Sequence, residues 1–267
     1  MSVHIAIQGA AGRMGRRIAA LAAVDPELDL TGAVEQAEHP AIGKSLRELG
    51  IAPLECAVTD NIDAAAAGCD VLVSFATPEA GICAAEAAAK CGCALVVGTT
   101  GFTPEQQETF NRHAEGIPCI HAPNMSVGVN LMFKVVQDIA RVLSSGYDVE
   151  IIEAHHRLKK DAPSGTAMKL AQLLAQSLNR ELDKVGVYER RGMIGERSPE
   201  EIGIQTIRAG DIVGEHTVIF GGVGERLEII HRAHNRDNFA RGAVRAANWV
   251  VAQPPGFYDM QDVLGLK

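Results

Sequence analysis

The stretch His4-Ile5-Ala6-Ile7-Gln8-Gly9-Ala10-Ala11-Gly12-Arg13-Met14-Gly15 decides the fold. An apolar strand pattern at residues 4–8 runs directly into three glycines spaced GxxGxxG, and a helix pattern rich in Ala, Ile and Leu follows at 16–24. This order is typical of a dinucleotide-binding unit, because glycine lets the backbone turn tightly and approach a pyrophosphate closely. The spacing differs from the commoner GxGxxG, so a packing turn that binds no ligand stays open as the alternative.

A carboxylate stands where such a unit uses one. Residues 28–34 have the pattern of a second strand, and Glu35 follows it, 20 residues after Gly15. In dinucleotide sites an acidic residue at about this distance binds the ribose hydroxyls of the adenosine. A carboxylate disfavours a 2′-phosphate, and Gln36 adds no positive charge, so the position favours NADH without excluding NADPH. The alternative for Glu35 is an exposed loop acid.

The pattern of alternating strands and helices continues to about residue 143. Further strand patterns lie at 54–58, 71–75, 94–97 and 117–121, and helix patterns lie at 80–90, 104–115 and 127–143. This alternation predicts an α/β, Rossmann-like, doubly wound parallel sheet. The residues Gly98-Thr99-Thr100-Gly101-Phe102 follow one of these strands, at the edge where open parallel sheets bind ligands.

After Gly146 the rhythm of the sequence changes. A strand at 149–154 and a helix at 164–178 precede closely spaced strands at 204–208, 215–220 and 226–231, with a glycine-rich hairpin connection at 221–224. This predicts an α+β unit with a mainly antiparallel sheet. We therefore expect a dinucleotide-binding domain at residues 1–126, with the C-terminal helical region 236–267 packing back on it, and a second domain at 127–235.

The amino-acid composition limits which classes of protein this chain can belong to. The chain has 267 residues, of which 47% are hydrophobic and only 4% aromatic, as in an α/β enzyme rather than a β-sandwich. The net charge of −8 argues against bulk nucleic-acid binding. No apolar run reaches the roughly 20 residues that span a bilayer, and the N-terminus shows no signal-peptide pattern. We expect a cytoplasmic protein that binds neither nucleic acid nor membrane.

The cysteine pattern predicts no metal site. Six cysteines lie in the first half of the chain and form no CxxC pair: Cys56, Cys69, Cys83, Cys91, Cys93 and Cys119. A structural zinc site needs matched pairs of ligands, which are missing here. Reduced thiols are therefore expected.

The second domain contains a cluster of basic residues. From His155 to Lys160, five of six side chains are cationic or can become so, although the chain as a whole is acidic. Pro163-Ser164-Gly165-Thr166 then has the pattern of a helix start with Ser164 as the cap. A helix start and nearby cations both favour anions, so this stretch suits a small substrate with more than one carboxylate. A solvated basic loop before an ordinary cap is the alternative.

These residues resemble a known family. Glu153-Ala154-His155-His156, Lys159 and the run Asp161-Ala162-Pro163-Ser164-Gly165-Thr166-Ala167 look like the substrate loop of the 4-hydroxy-tetrahydrodipicolinate reductase (dihydrodipicolinate reductase) family, which serves the diaminopimelate route to lysine. Residues 9–15, 98–102 and 124–130 resemble its cofactor segments, and residues 208–217 resemble its assembly sheet. The resemblance spans nearly the whole chain, in order.

The resemblance implies specific roles and a homotetramer formed through the second domain's sheet. His155 and Lys159 correspond to the catalytic pair, and the substrate contacts correspond to His156, Ser164, Gly165 and Thr166. The implied contacts to NADH or NADPH are Gly9, Ala10, Ala11, Gly12, Arg13, Met14, Glu35, Gly98, Thr99, Thr100, Ala122, Pro123, Asn124 and Met125, and no metal is implied. Two departures concern the cofactor: some members have Arg at position 36 and Thr-Arg at positions 76 and 77, where this chain has Gln36 and Ala76-Thr77.

The implied reaction adds a hydride to a cyclic, imine-type dicarboxylate and needs a proton, which His155 or Lys159 can provide. The sequence disfavours two alternative functions. An aspartate-semialdehyde dehydrogenase needs a nucleophilic cysteine on the substrate side, but all six cysteines precede Asn124. A catalytically silent nucleotide-binding regulator is disfavoured by the intact His155, Lys159 and Ser164-Gly165-Thr166.

Overall fold

The computed structural model describes residues 2–267 and divides into two compact units. Unit 1 comprises the chain up to Val127 together with Arg236–Lys267, and unit 2 comprises Gly128–Asn235. The described strands are β1 (Val3–Gln8), β2 (Leu28–Val34), β3 (Val58–Thr59), β4 (Val71–Ser74), β5 (Ala94–Val97), β6 (Pro118–His121), β7 (Asp148–His155), β8 (Gly186–Val187), β9 (Ile202–Arg208), β10 (Gly214–Gly221), β11 (Arg226–Ala233) and β12 (Gly256–Tyr258). The described helices are α1 (Gly15–Ala22), α2 (Ile62–Ala67), α3 (Pro78–Cys91), α4 (Pro104–Ala114), α5 (Val127–Val142), α6 (Gly165–Ser177), α7 (Leu182–Val185), α8 (Asp237–Val250) and α9 (Met260–Val263).

Unit 1 is built on a parallel sheet. Its seven described strands run in the order β12-β6-β5-β4-β1-β2-β3, and every neighbouring pair is parallel. The strand order reverses at β1, which lies between β2 and β4. This arrangement confirms the predicted Rossmann-like doubly wound sheet, in which a ligand binds at the carboxyl edge of the strands where the order reverses.

Two apolar layers cover this sheet. Strands β4 and β5 are buried along their whole length, as their continuous apolar sequences require of central parallel strands. On one side, α8 contributes Ala240, Ala243 and Val250 to a core cluster that also contains Ile5 and Ile7 of β1. The C-terminal helix is therefore part of the core of unit 1.

Two local predictions were wrong. Residues 54–58 were expected to form a strand, but only Val58 enters the sheet. The carbonyls of Leu54 and Cys56 instead accept hydrogen bonds from the amides of Arg47 and Leu46, so this segment folds against a local loop. The edge strand β12 was not predicted at all, because three residues directly after two prolines show no strand pattern.

Unit 2 contains a mixed sheet in the order β11-β10-β7-β9-β8. Strand β10 is antiparallel to β11 and β7, whereas β9 is parallel to β7 and β8. The predicted α+β unit and its hairpin between β10 and β11 are confirmed. One face of the sheet packs on α5 and α6 through a cluster that includes Val136, Ile151, Leu170 and Val218.

No helix within residues 2–267 is both long and apolar enough to cross a membrane. The same residues contain no group of three or more His, Cys, Asp or Glu side chains arranged to hold a metal ion.

Candidate active site

The glycine turn joins β1 to α1 at the carboxyl edge of the sheet in unit 1. Gly9 has a φ of +76°, in the left-handed region that favours glycine, and its amide and that of Ala10 both donate to the Val34 carbonyl at 2.8 and 3.2 Å. A Cβ on Gly15 would lie 2.0 Å from the Gly9 carbonyl oxygen, so this approach of helix to turn requires glycine. Gly12 and Arg13 are exposed, which leaves the turn backbone accessible to a ligand.

Glu35 comes to the turn directly after β2. Its Oε1 accepts a hydrogen bond from the Ala11 amide at 2.9 Å. The structure thus joins the acidic position and the glycine turn, which are 24 residues apart, in one site. The neighbouring Gln36 is exposed and uncharged.

The other predicted cofactor segments follow β5 and β6 at the same edge. Thr99 is buried and its hydroxyl donates to the Ala76 carbonyl at 3.1 Å, and Asn124 Oδ1 accepts from the Ser126 amide at 2.9 Å. His121, at the end of β6, places Nε2 3.2 Å from the Thr99 carbonyl. Burial lowers the pKa of His121, so this ring is neutral near neutral pH. Sequence reasoning missed His121, which links the two segments.

The predicted catalytic histidine ends strand β7 in unit 2. His155 and Glu153 are two residues apart on the strand, so their side chains share one face. His155 Nδ1 lies 2.5 Å from Glu153 Oε2. The Glu153 side chain is completely buried, whereas that of His155 keeps 12% of its surface exposed.

Glu153 is held by four more hydrogen bonds. Arg208 of β9 donates to Oε1 and Oε2 at 2.8 and 2.9 Å, the Ser164 amide donates to Oε1 at 3.0 Å, and the Thr206 hydroxyl donates to Oε1 at 3.3 Å. Burial raises the pKa of the Glu153 carboxyl, but the hydrogen bonds from His155, Arg208 and Ser164 outweigh it and lower the pKa to about 2. Glu153 is therefore ionised at neutral pH.

Ser164 caps α6 at this site. Its hydroxyl accepts a hydrogen bond from the Ala167 amide at 3.2 Å and lies 3.2 Å from Nε2 of His216 on β10. Burial lowers the pKa of His216 to about 3, which keeps this ring neutral. The His155 and His216 rings meet edge-on with centroids 5.4 Å apart. The Ser164 side chain is buried, so it supports the helix start from inside the unit.

Lys159 lies in the segment between β7 and α6. Its Nζ forms an ion pair with Asp161 Oδ1 at 2.9 Å, and its amide donates to the His156 carbonyl at 3.1 Å. The Lys159 ammonium lowers the pKa of the Asp161 carboxyl. Gly165 is exposed and Thr166 half-buried at the first turn of α6. Within unit 2 the structure thus joins His155 to Ser164 through Glu153, and it holds Lys159 on Asp161.

Sequence reasoning placed Glu153 in the substrate loop and Arg208 and His216 in the assembly sheet, but it assigned none of them a contact in this site. An acidic residue two positions before a histidine on a strand shares its face, and that spacing could have revealed Glu153. The positions of Arg208 and His216 depend on the pairing of β7 with β9 and β10, in which His155 faces Arg208 and Glu153 faces His216. No local signal in the sequence specifies such long-range pairings.

Comparisons with known proteins agree over the full length. A family model described as "Dihydrodipicolinate reductase, N-terminus" matches residues 3–125, and one described as "Dihydrodipicolinate reductase, C-terminus" matches residues 128–264. The chain is 56% identical over 262 residues to the 4-hydroxy-tetrahydrodipicolinate reductase of Syntrophus aciditrophicus, with 98% of each chain covered. It is 55% identical over 266 residues to the enzyme of the same name from Syntrophobacter fumaroxidans, covering 99% of this chain and 100% of that one.

A solved structure supports the same relationship. The dipicolinate-bound dihydrodipicolinate reductase from Paenisporosarcina sp. TG-14 superposes with a TM-score of 0.76 at 28% sequence identity. The superposition covers 98% of this chain and 99% of that chain.

Proposed function

Because the chain belongs to the dihydrodipicolinate reductase family, we propose that it reduces 4-hydroxy-tetrahydrodipicolinate to tetrahydrodipicolinate, a step of lysine biosynthesis through diaminopimelate. The chain is an oxidoreductase. The observation that carries the proposal is the full-length similarity to reductases of this name, at more than half of the aligned positions. The dipicolinate in the related structure supports a small ring dicarboxylate as the substrate class.

The residues of unit 1 fit a nicotinamide cofactor. The exposed turn around Gly12 lets a pyrophosphate approach the backbone, and Glu35 offers a carboxylate for the ribose hydroxyls. When bound, the cofactor supplies the hydride. We propose Gly9 to Met14, Glu35, Gly98 to Thr100 and Ala122 to Met125 as its contacts, with NADH as the favoured form and NADPH as the alternative.

The residues of unit 2 bind the substrate and handle the proton. The start of α6, at Gly165 and Thr166, carries the positive end of the helix dipole and favours a carboxylate, and His156 is proposed as a further contact. His155 exchanges a proton with the ring as it is reduced. Lys159 is cationic and stabilises the negative charge that develops there, or donates the proton itself.

A pair of variants tests this assignment. We expect His155→Gln and Lys159→Ala each to lower kcat by about 10²-fold or more, the scale of positioned acid–base groups. Oxidation of NADH and of NADPH is followed by absorbance with freshly generated substrate. The controls are His234→Gln and Lys169→Ala, which change exposed side chains of the same types elsewhere in unit 2. Wild-type turnover in both active-site variants would refute the assignment.

We also propose a cytoplasmic homotetramer that assembles through the sheet of unit 2. On the face of this sheet opposite α5 and α6, Ile152, Thr217 and Ile230 stand in register across three strands. Ile230 on the edge strand β11 and Ile207 on β9 are 43% and 47% exposed there, and such an exposed apolar face is typical of a protein–protein contact. The six free cysteines fit the reducing conditions of the cytoplasm.

A further inference from the structure

A fully buried carboxylate lies beside the catalytic histidine. Burying a charge costs free energy unless it is paired and hydrogen-bonded, so a buried glutamate calls for a physical reason. The two carboxylate oxygens of Glu153 accept different numbers of hydrogen bonds. Oε1 accepts from the Ser164 amide, the Thr206 hydroxyl and Arg208 Nη2, whereas Oε2 accepts from Arg208 Nη1 and faces His155 Nδ1.

This geometry determines the protonation of the ring. An ionised carboxylate can only accept hydrogen bonds, so the hydrogen between Glu153 and His155 belongs to Nδ1. Nε2 is then the ring atom that can take up and release a proton. A Cβ at Gly214 would lie 3.1 Å from Nε2, so glycine at this position keeps space open beside that atom.

We propose that Glu153 is a positioning residue for the reduction: it fixes His155 as the Nδ1–H tautomer and presents Nε2 as the proton-exchanging atom. The inference rests on the proposed function, in which His155 exchanges the proton. Glu153 acts through His155, because its own side chain is completely buried. Such an outer carboxylate fixes tautomer and ring orientation and stabilises the charged ring when it forms.

The groups around Glu153 support this role. Arg208 holds the carboxylate with both terminal nitrogens and is itself anchored by donating to the Asp161 carbonyl at 2.7 Å. It compensates the charge without displacing His155 from Oε2. On the other side of His155, the ring of His216 is neutral because burial lowers its pKa, so it adds no competing positive charge.

Glu153→Gln makes a sharp test because an amide has one acceptor and one donor end. Three donors surround the Oε1 position, against Arg208 Nη1 and His155 Nδ1 at the Oε2 position, so the amide oxygen belongs at Oε1 and the amide nitrogen faces His155 Nδ1. We expect His155 to switch to the Nε2–H tautomer and kcat to fall by at least about ten-fold, with KM for the cofactor within about two-fold. The tautomer is measured by ring 15N chemical shifts in full-length protein labelled with 15N-histidine, with His155 assigned from the spectrum of His155→Gln.

Glu150→Gln is the matched control. Glu150 lies on the same strand and forms a similar two-pronged ion pair with Arg190 at 2.7 and 2.9 Å, but on the opposite face. This control is expected to leave kcat and the His155 tautomer unchanged. Should Glu153→Gln fail to fold because Arg208 loses its counter-charge, the double variant Glu153→Gln/Arg208→Gln removes both charges and takes its place. An Nε2–H tautomer of His155 in the wild-type protein would overturn the proposal without any variant.

A double-mutant cycle shows whether Glu153 acts through His155. In the His155→Gln background, Glu153→Gln is expected to change kcat by less than about two-fold, since the residue it positions is gone. Losses that multiply would overturn the proposal, as would a Glu153→Gln variant with wild-type kcat and an unchanged tautomer. Failure of the proposed function is distinct, because it appears as wild-type turnover in His155→Gln itself.

Discussion

Glu35 is the residue that we propose to bind the adenosine end of the cofactor. Its Oε1 accepts a hydrogen bond from the Ala11 amide, so the carboxylate orders the glycine turn, and we propose that it also binds the ribose hydroxyls. Hydrogen bonds to a charged group contribute ~1.5–3 kcal/mol, and 1.4 kcal/mol is ten-fold in affinity. We expect Glu35→Ser to raise KM for NADH by about ten-fold or more, with kcat within about two-fold. Steady-state kinetics with both cofactors measure it.

Glu38→Ser is the control for this prediction, because Glu38 is an exposed acid three positions further along the chain. Removing a negative charge at position 35 also lowers the repulsion of a 2′-phosphate, so the ratio of kcat/KM for NADPH to that for NADH is expected to rise. If the ratio of kcat/KM for NADPH to that for NADH is unchanged in Glu35→Ser, then Glu35 does not bind the adenosine ribose.

Two buried side chains of unit 2 make its free energy of unfolding depend on pH in the acidic range. Burial lowers the pKa of His216 from 6.5 to about 3, so the unfolded chain binds a proton that the folded chain excludes. Its contribution to stability is complete above pH 6.5 and is lost as the pH falls toward 3. The pKa of Glu153 is lowered from 4.5 to about 2, so its contribution is complete above pH 4.5 and is lost as the pH falls toward 2.

We therefore expect the free energy of unfolding to decline as pH falls below 6.5, and more steeply below 4.5. One pKa unit corresponds to about 1.4 kcal/mol, so His216 alone accounts for a few kcal/mol. Urea unfolding over a pH series measures the decline. In His216→Gln the curve should be shallower between pH 6.5 and 3, whatever its absolute height. Parallel curves for the two proteins would contradict the assignment to His216.

At this scale the sequence predicted the residue types of the site better than their partners. The glycine turn, Glu35 and His155 are local in the sequence, and their spacing carries a chemical meaning. The Arg208 partner of Glu153 lies 55 residues away, and its position depends on how β9 pairs with β7. Side-chain partners set by strand pairing leave no periodic signal in a single sequence.

We propose that the start of α6 serves both stability and substrate binding. Ser164 accepts a hydrogen bond from the Ala167 amide and so caps the helix start, whose positive dipole end favours an anion. Replacing such a cap by alanine costs about 0.5–2 kcal/mol. We expect Ser164→Ala to lower the free energy of unfolding by this amount and to raise KM for the dicarboxylate substrate.

The comparison for Ser164→Ala is Asn61→Ala, which removes the cap of α2 in unit 1, where Asn61 Oδ1 accepts from the Ala64 amide at 2.9 Å. Both variants should lose stability in urea unfolding, but only Ser164→Ala should raise KM for the substrate. Equal KM values in the two variants would mean that the α6 start binds no substrate carboxylate.

Elements with a strong period were predicted well, and short elements were not. The central strands β4 and β5 are continuous apolar runs, and α5 and α8 carry apolar faces long enough to define them. The segments at β3 and β12 are two and three residues long, and the sheet rather than their sequence makes them strands. Their placement follows from neighbouring strands that offer free edges.

At the scale of the whole molecule, the two faces of the sheet in unit 2 carry different kinds of side chain. One face holds Glu153 and His155 and is covered by α5 and α6, while the other presents Ile152, Ile207 and Ile230. The alternation of side chains along each strand puts the two sets on opposite faces. A contact formed by the second face therefore leaves the face that holds Glu153 and His155 unchanged.

Ile230→Glu tests whether the second face holds copies of the chain together. A carboxylate there would be buried without a partner in the assembly, which costs several kcal/mol and shifts the equilibrium toward smaller species. Sedimentation velocity should show a tetramer for the wild type and dimers or monomers for Ile230→Glu. Val24→Glu, which changes a valine of unit 1 that is 71% exposed, should remain tetrameric. A tetrameric Ile230→Glu would move the interface away from this face, and a monomeric wild type would remove the assembly altogether.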